Sequence, residues 1–205
     1  APVSQYRIMP RLNTLVDALP HVRLRLSTQM FLGDLKAPDF DMDIRFGNGH
    51  WDDGEAILLF EEEVFPVCSP AWLARNPMPS TLEDLPSAGL LDAEATSEGW
   101  ITWPAWFKEL GASYSKLTIN LRCSLYTDAI QAAVNGYGIA LGWGRMVDHL
   151  IDSGELVKLE PFVVRPKKSY YLIVPKGRPV TANVTAMVQW LQSKAVPPTK
   201  KIVTE

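Results

Sequence analysis

The sequence RCSLYTDAIQAAVNGYGIALGW, residues 122–143, decides the fold. Leading into it, residues 117–121 alternate between apolar and polar side chains, which is the period of a half-buried strand. Residues 124–134 are typical of an amphipathic helix, and Gly136 would end it because glycine accepts the left-handed conformation at a helix C-terminus. Residues 139–141 are a short apolar strand. The stretch therefore predicts a strand, a helix and a second, parallel strand.

Polar side chains stand where the first of these strands passes into the helix. Ser124 or Thr127 can cap the helix, and Asp128 lies in its first turn, where a negative charge suits the helix dipole. In such units ligands bind outside the carboxyl ends of the parallel strands, close to the free N–H groups of helix starts. Residues 124–128 occupy one such end and Gly142-Trp143 the other, so we expect a ligand site there.

The rest of the chain alternates between strand and helix patterns. A helical pattern over Ile8–Leu19 is ended by Pro20, and a clean alternation predicts a strand over Val22–Leu26. Ser4 and Gln5 stand just before that helix, and Thr28 stands just after that strand. Each can either cap a helix or contact a ligand. Further strands are predicted at 41–47, 56–60, 63–69, 88–92, 156–162 and 170–174, and further helices at 70–75, 100–110, 146–151 and 180–195.

Two more helix starts carry a cap signal. Ser69 precedes Pro70 at the first position of a helix, and Thr81 can cap one short helical turn. The alternation of strands and helices argues for an α/β fold with mostly parallel sheets, and about ten strands suit two small sheets better than one large sheet.

Composition excludes several classes of protein. The 205 residues are 47% hydrophobic, which is ample for a core, and the net charge of −3 lacks the basic excess of a nucleic-acid-binding surface. No apolar run approaches the ~18 residues of a membrane span, and no signal peptide is visible. Cys68 and Cys123 are interpreted as reduced, buried thiols typical of the cytoplasm. The three histidines, His21, His50 and His149, share no ligand spacing, so neither a metal nor a cofactor is expected.

Several short motifs together resemble one family, the effector-binding domain of LysR-type transcriptional regulators. They are MPRL (9–12), FDMDIRFG (40–47), FPVCSP (65–70), LEDL (82–85) and AAVNGYGIALG (132–142). They cover residues 1 to about 195 in the family's order. The DIRFG sequence is most similar to the subgroup related to glycine-cleavage regulators, and Trp103 and Trp106 match a recurring tryptophan pair there.

The resemblance implies two Rossmann-like subdomains joined by two crossover strands, as in type 2 periplasmic binding proteins. Subdomain I would hold residues 1–69 plus 174–195, and subdomain II residues 70–173, with a frayed tail at 196–205. The hinges would fall near Val67–Pro70 and Leu172–Pro175. The family's winged-helix DNA-binding domain would lie N-terminal to this chain, which opens at Ala1 and is expected to be a fragment or a processed product.

The resemblance also places an effector pocket between the subdomains. The positions that it implies are Ser4, Gln5, Thr28, Gly47, Asn48, Cys68, Ser69, Ser124, Tyr126, Thr127, Asp128 and Trp143. An effector bound there would favour one angle between the subdomains, and the hinge movement would reposition the DNA-binding domains.

Aromatic residues at these positions suggest a ligand class. Trp103, Tyr126 and Trp143, with Trp100 as a further candidate, would offer aromatic faces beside the carboxylate of Asp128, which suits a quaternary ammonium such as choline or betaine. Ordinary core packing is the alternative for each tryptophan. The rival ligand is an amino acid or small carboxylate, held by Ser4, Thr28, Ser124 and the N–H groups of helix starts.

The resemblance implies partners as well. The first helix (Pro10–Leu19) and the strand Val22–Leu26 of one chain would meet the helix Thr127–Asn135 of a second copy, giving a homodimer and a tetramer at full length. DNA would be bound only through the N-terminal domain, in the cytoplasm and without a membrane. A free-standing solute-binding protein of a transporter is the alternative. An enzyme is not expected, because no Gly-x-Ser-x-Gly elbow occurs and no histidine is placed as a base.

Overall fold

A computed structural model describes residues 2–28, 40–94 and 99–193. The strands are β1 Asp43–Gly47, β2 Gly54–Phe60, β3 Val64–Cys68, β4 Leu90–Ala93, β5 Ile119–Cys123, β6 Ile139–Trp143, β7 Val157–Lys158 and β8 Ser169–Pro175. The α-helices are α1 Leu12–Ala18, α2 Pro70–Leu73, α3 Trp103–Glu109, α4 Tyr126–Val134, α5 Gly144–Asp152 and α6 Ala182–Gln192. Among these residues no helix is both long and apolar enough to cross a membrane.

The strands form two sheets. The first has the order β1-β8-β2 and both of its pairings are antiparallel. The second has the order β5-β4-β6-β3-β7, in which β4 pairs parallel with β5 and β6, whereas β3 runs antiparallel to β6 and β7. The predicted strand–helix–strand unit is β5-α4-β6, with β4 between its two strands. The expectation of mostly parallel pairing is therefore right only for β4, β5 and β6.

Within the described ranges, the chain passes from one sheet to the other twice. It leaves β2 of the first sheet and enters β3 of the second through Glu61–Glu63, and it returns between β7 and β8. Val67 pairs with strands of the second sheet, and Leu172 with strands of the first. Both passages thus lie earlier in the chain than the predicted hinges near Val67–Pro70 and Leu172–Pro175. The subdomain boundaries that follow from those hinges stay a prediction.

The prediction for the N-terminal region is partly wrong. The first helix begins earlier than expected, as a π-helix at Val3–Ile8, narrows to a 3₁₀ turn at Met9–Arg11 and continues as α1. Pro10 explains the change, because it has no N–H to donate and its ring crowds the preceding turn. Val22–Leu26 is not a strand, because its residues pair with neither sheet. Leu24 is exposed, so the alternating apolar side chains of this segment do not form a buried face.

The predicted caps have mixed outcomes. Ser69 caps α2 by accepting from the N–H of Trp72 at 3.2 Å, and Thr81 forms a capping box with Asp84, as expected. Gly136 has φ +78° and ends α4.

Two other expected caps are wrong. The N-cap residue of α4 is Leu125, whose side chain makes no capping hydrogen bond, so neither Ser124 nor Thr127 caps this helix. Pro2 precedes the first helix, and Ser4 and Gln5 lie inside it.

Candidate functional site

A small hollow lies at the carboxyl ends of two parallel strands. Ala93 ends β4 and Trp143 ends β6, and both line it. Its volume is about 10 Å³, room for about one water molecule. The full lining is Leu91, Asp92, Ala93, Trp100, Ile101, Trp103, Tyr126, Ala129, Ala140, Leu141 and Trp143. This is the place that strand-end logic predicts for a ligand.

Tryptophan rings form the wall of the hollow. Trp100 stacks on Trp143 with ring centroids 4.1 Å apart, and it meets the edge of Tyr126 at 5.3 Å. The phenol oxygen of Tyr126 accepts from the backbone N–H of Trp143 at 3.0 Å, and Trp103 donates its indole N–H to the carbonyl of Leu91 at 2.9 Å. Trp143 is fully buried, yet its indole N–H has no partner among the described residues. A buried donor without an acceptor is costly unless something supplies one.

The same rings connect the two sheets. Phe46 of β1 meets Trp143 at 5.3 Å and Trp100 at 6.5 Å, both edge to face. Phe46 also packs against Tyr170 of β8 at 5.0 Å, and Tyr170 against Phe60 at 5.2 Å. A change at the hollow therefore reaches the first sheet directly through Phe46.

Asp92 is the carboxylate at the hollow. It is paired with Arg122 at 3.2 Å, but Asp92 is 14% exposed and Arg122 63% exposed. An exposed arginine in such a pair contributes little and is readily displaced. Asp128, which was expected to supply the charge, is exposed and does not line the hollow. The start of α4 turns its side chain toward solvent while Tyr126 and Ala129 face inward.

The first helix meets the second sheet's helices beside this site. The hydroxyl of Tyr6 donates to the backbone carbonyl of Thr127 at 3.0 Å, and its ring lies 6.1 Å from that of Tyr126. Arg7 is buried and pairs with Asp148 of α5 at 3.2 Å. The first helix therefore spans the junction between the two sheets.

The predicted site residues fall into two groups. Trp103, Tyr126 and Trp143 come together at the hollow. The others lie elsewhere: Gln5, Thr28, Asn48, Ser124 and Asp128 are exposed, Ser4 is half-buried, and Gly47, Cys68, Ser69 and Thr127 are buried without lining it. Whether an effector reaches any of them stays a prediction.

The buried polar residues of that second group have structural roles. Ser69 caps α2, and Thr127 uses its backbone carbonyl to bind Tyr6. Burial raises the pKa of Cys68 to about 12, which keeps it a thiol, and both cysteines are free and buried. In the described ranges no cluster of His, Cys, Asp or Glu is arranged to hold a metal.

Sequence reasoning missed Asp92 and Glu62. Asp92 stands at the end of the predicted strand 88–92, so the argument used for Ser124 applies to it equally. Glu62 is 3% exposed and lies in the first passage between the sheets. Nothing in the run Glu61-Glu62-Glu63 distinguishes the buried glutamate from its neighbours, because the run follows no strand or helix period.

The chain belongs to the family described as LysR substrate binding domain, which matches residues 1–196. This is a ligand-binding regulatory domain rather than an enzyme, and it confirms the resemblance found in the sequence. Among curated proteins, the chain is 33% identical to the HTH-type transcriptional activator AmpR of Rhodobacter capsulatus, over 92% of this chain and 62% of that protein. It is 29% identical to the glycine cleavage system transcriptional activator of Escherichia coli K12, over 92% and 60%.

Solved structures of effector-binding domains support the same family assignment and fold. The effector domain of AmpR from Pseudomonas aeruginosa has 28% identity and a TM-score of 0.69, covering 94% of this chain and 90% of that one. The AmpR effector-binding domain from Citrobacter freundii has 26% identity and a TM-score of 0.72, covering 94% and 92%. These neighbours confirm the predicted fold class. The chain spans about 60% of the length of the full-length relatives above.

Proposed function

We propose that the chain is the effector-sensing part of a cytoplasmic LysR-type transcriptional regulator, whose DNA-binding domain lies outside it. Curated relatives that are transcriptional activators of greater length support a regulator over a transporter's solute-binding protein. The full gene tests this: about ninety upstream residues with a helix-turn-helix fit the proposal, and a signal peptide in their place contradicts it.

The effector enters the hollow beneath Trp100. The hollow as described holds about one water, so a ligand must move a wall, and half-buried Trp100 is the ring with the least packing to lose. Displacing Trp100 changes its contacts with Trp143 and Phe46, which connect the sheets. The ligand thereby favours one angle between the sheets, to the extent that it binds one arrangement more tightly than the other.

The ligand is a compact quaternary ammonium compound of the choline or betaine type. The observation that carries this is the lining: three tryptophans and Tyr126 beside the carboxylate of Asp92. Aromatic faces attract a cation by about 2 kcal/mol when both are desolvated, and a nearby carboxylate adds to this. The exposed Arg122 gives up Asp92 when the ligand's cation arrives.

An amino acid or small carboxylate is the second candidate. The indole N–H of Trp143, which finds no acceptor in the described part of the chain, favours it, because that group needs an acceptor and a carboxylate oxygen supplies one. Betaine carries both a quaternary ammonium and a carboxylate, so it satisfies both observations.

Titration of tryptophan fluorescence tests the site, since three of its wall residues are tryptophans. Choline and glycine betaine should change the emission, and Asp92→Asn should weaken their binding at least tenfold, about 1.4 kcal/mol. Asp128→Asn is the matched control and should bind as the wild type does. If no quaternary ammonium binds and amino acids do, the second candidate replaces the first. If Asp128→Asn is the variant that loses binding, the placement of the site is wrong.

The dimer contact is part of the same proposal. The first helix and residues 22–26 of one chain would meet α4 of a second copy, and these segments expose Met9, Val16, Leu24 and Leu26 to solvent. Single large apolar residues on a surface are common, but four on adjoining segments favour a partner. Leu24→Asp should reduce the sedimenting mass of a dimer to that of a monomer, and Met78→Asp, at a more exposed residue outside these segments, should not. A dimer that survives Leu24→Asp contradicts the proposed contact.

A further inference from the structure

Glu62 is a carboxyl group buried at the junction of the sheets. It lies in Glu61–Glu63, the passage from β2 to β3, and is 3% exposed, whereas Glu61 faces solvent. One carboxyl oxygen accepts from the backbone N–H of Arg145 in the first turn of α5 at 2.9 Å. The other oxygen has no hydrogen-bond partner among the described residues. A carboxylate with one unpaired oxygen in such a place favours its neutral form.

The groups that face Glu62 come from every element packed around it. Arg7 of the first helix and Arg145 of α5 are cations, and Tyr126 of α4 and Tyr170 of β8 are neutral phenols. Burial outweighs the attraction of the two arginines and raises the pKa of Glu62 to about 8. The carboxyl group therefore changes charge close to neutral pH.

Arg7 connects Glu62 to the contact between the sheets. Its guanidinium donates to Asp148 of α5 at 3.2 Å and to the carbonyls of Leu191 and Ser193, at the end of α6, at 3.0 and 2.8 Å. It also lies over the ring of Phe60 at 5.3 Å. One buried side chain thus holds α5 to α6, and a second carboxylate charge beside it competes for the same guanidinium.

We propose that Glu62 is a pH-sensitive switch between the two sheets. In its neutral form it leaves Arg7 bound to Asp148 and to the end of α6, as in this structure. When it ionises, it draws Arg7 toward itself and loosens the contact of the first helix with α5, so the angle between the sheets changes without any effector.

Nuclear magnetic resonance of the ¹³C-glutamate, ¹⁵N-labelled chain tests this between pH 6 and 10. One glutamate side-chain carboxyl resonance should titrate with a midpoint near pH 8, and the amides of the first helix and α5 should shift with the same midpoint. Ionisation of His149 does not share this midpoint, because burial lowers its pKa below 6.5. A wild-type chain whose glutamates all titrate below pH 6, or whose helix amides do not follow the one near pH 8, overturns the proposal.

Two variants assign the transition. Glu62→Gln keeps a carbonyl oxygen for the N–H of Arg145 and removes the charge, so the amide shifts near pH 8 should disappear. Glu61→Gln makes the same chemical change one residue away, on the exposed side, and should keep them. Shifts that persist in a folded Glu62→Gln chain overturn the proposal. If Glu62→Gln does not fold, the wild-type titration alone decides.

Discussion

Replacing Glu62 with glutamine should change how stability depends on pH. Burial raises the pKa of Glu62 from 4.5 to about 8 in the folded chain, so the folded state holds this proton more tightly than the unfolded state does. Below pH 4.5 both states are protonated and the stabilising effect is complete. It is lost as pH rises toward 8, and at about 1.4 kcal/mol per pH unit the full loss is about 5 kcal/mol.

The assay is urea unfolding followed by circular dichroism at pH 5, 6, 7, 8 and 9, for both proteins. The free energy of unfolding of the wild type, minus that of Glu62→Gln, should fall steadily from pH 5 to 8 and then level off. Subtraction removes the contribution of every other carboxylate, because both proteins share them. The difference in free energy of unfolding between the wild type and Glu61→Gln should not change with pH. Parallel curves for the wild type and Glu62→Gln would refute the burial argument.

Three further substitutions test particular contacts. Trp106→Phe removes a buried indole that donates to a β3 carbonyl at 2.9 Å, and it should cost about 2–4 kcal/mol of unfolding free energy. A loss below about 0.5 kcal/mol would show that the indole is not needed there. Ser69→Ala removes the α2 cap and should cost about 1 kcal/mol without changing affinity for the effector, and a weakened affinity would place Ser69 at the ligand. In Arg7→Lys the lysine cannot reach three acceptors together, so the substitution should cost about 2–4 kcal/mol of unfolding free energy. The same change at exposed Arg165 should cost at most about 0.5 kcal/mol, and equal losses would contradict the role of Arg7.

Local signals in the sequence predicted the strands of both sheets, but not the antiparallel pairing of β3 with β6 and β7. β5, α4 and β6 follow from apolar periods, and the ends of α2 and α4 from Ser69 and Gly136, since these choices depend only on near neighbours. The N-terminal region was harder. Val22–Leu26 has a strand's alternation but pairs with neither sheet, because a strand also needs a partner, and pairing is decided far along the chain. The two-part architecture was predicted from the resemblance to a family, because local hydrophobic periodicity does not indicate how strands divide between sheets.

The sequence named part of the lining of the hollow. Strand-end logic pointed to Tyr126 and Trp143, which both line it, and Trp103 joins them because α3 packs its tryptophans against β4 and β3. The sequence pointed to exposed Asp128 and not to Asp92, which lines the hollow, since the direction of a side chain at a helix start depends on how the helix docks. Whether an effector binds any of these residues stays a prediction. Glu62 had no signal, because its burial comes from two sheets meeting around the passage that holds it.

A crystal structure of the chain grown with saturating glycine betaine tests the central claim most directly. We expect the ligand under a displaced Trp100, with its ammonium group facing Asp92 and within about 6 Å of the Trp143 and Tyr126 rings. Its carboxylate should accept from the indole N–H of Trp143. Trp100 still stacked on Trp143, with the ligand absent or bound at another surface, would contradict it.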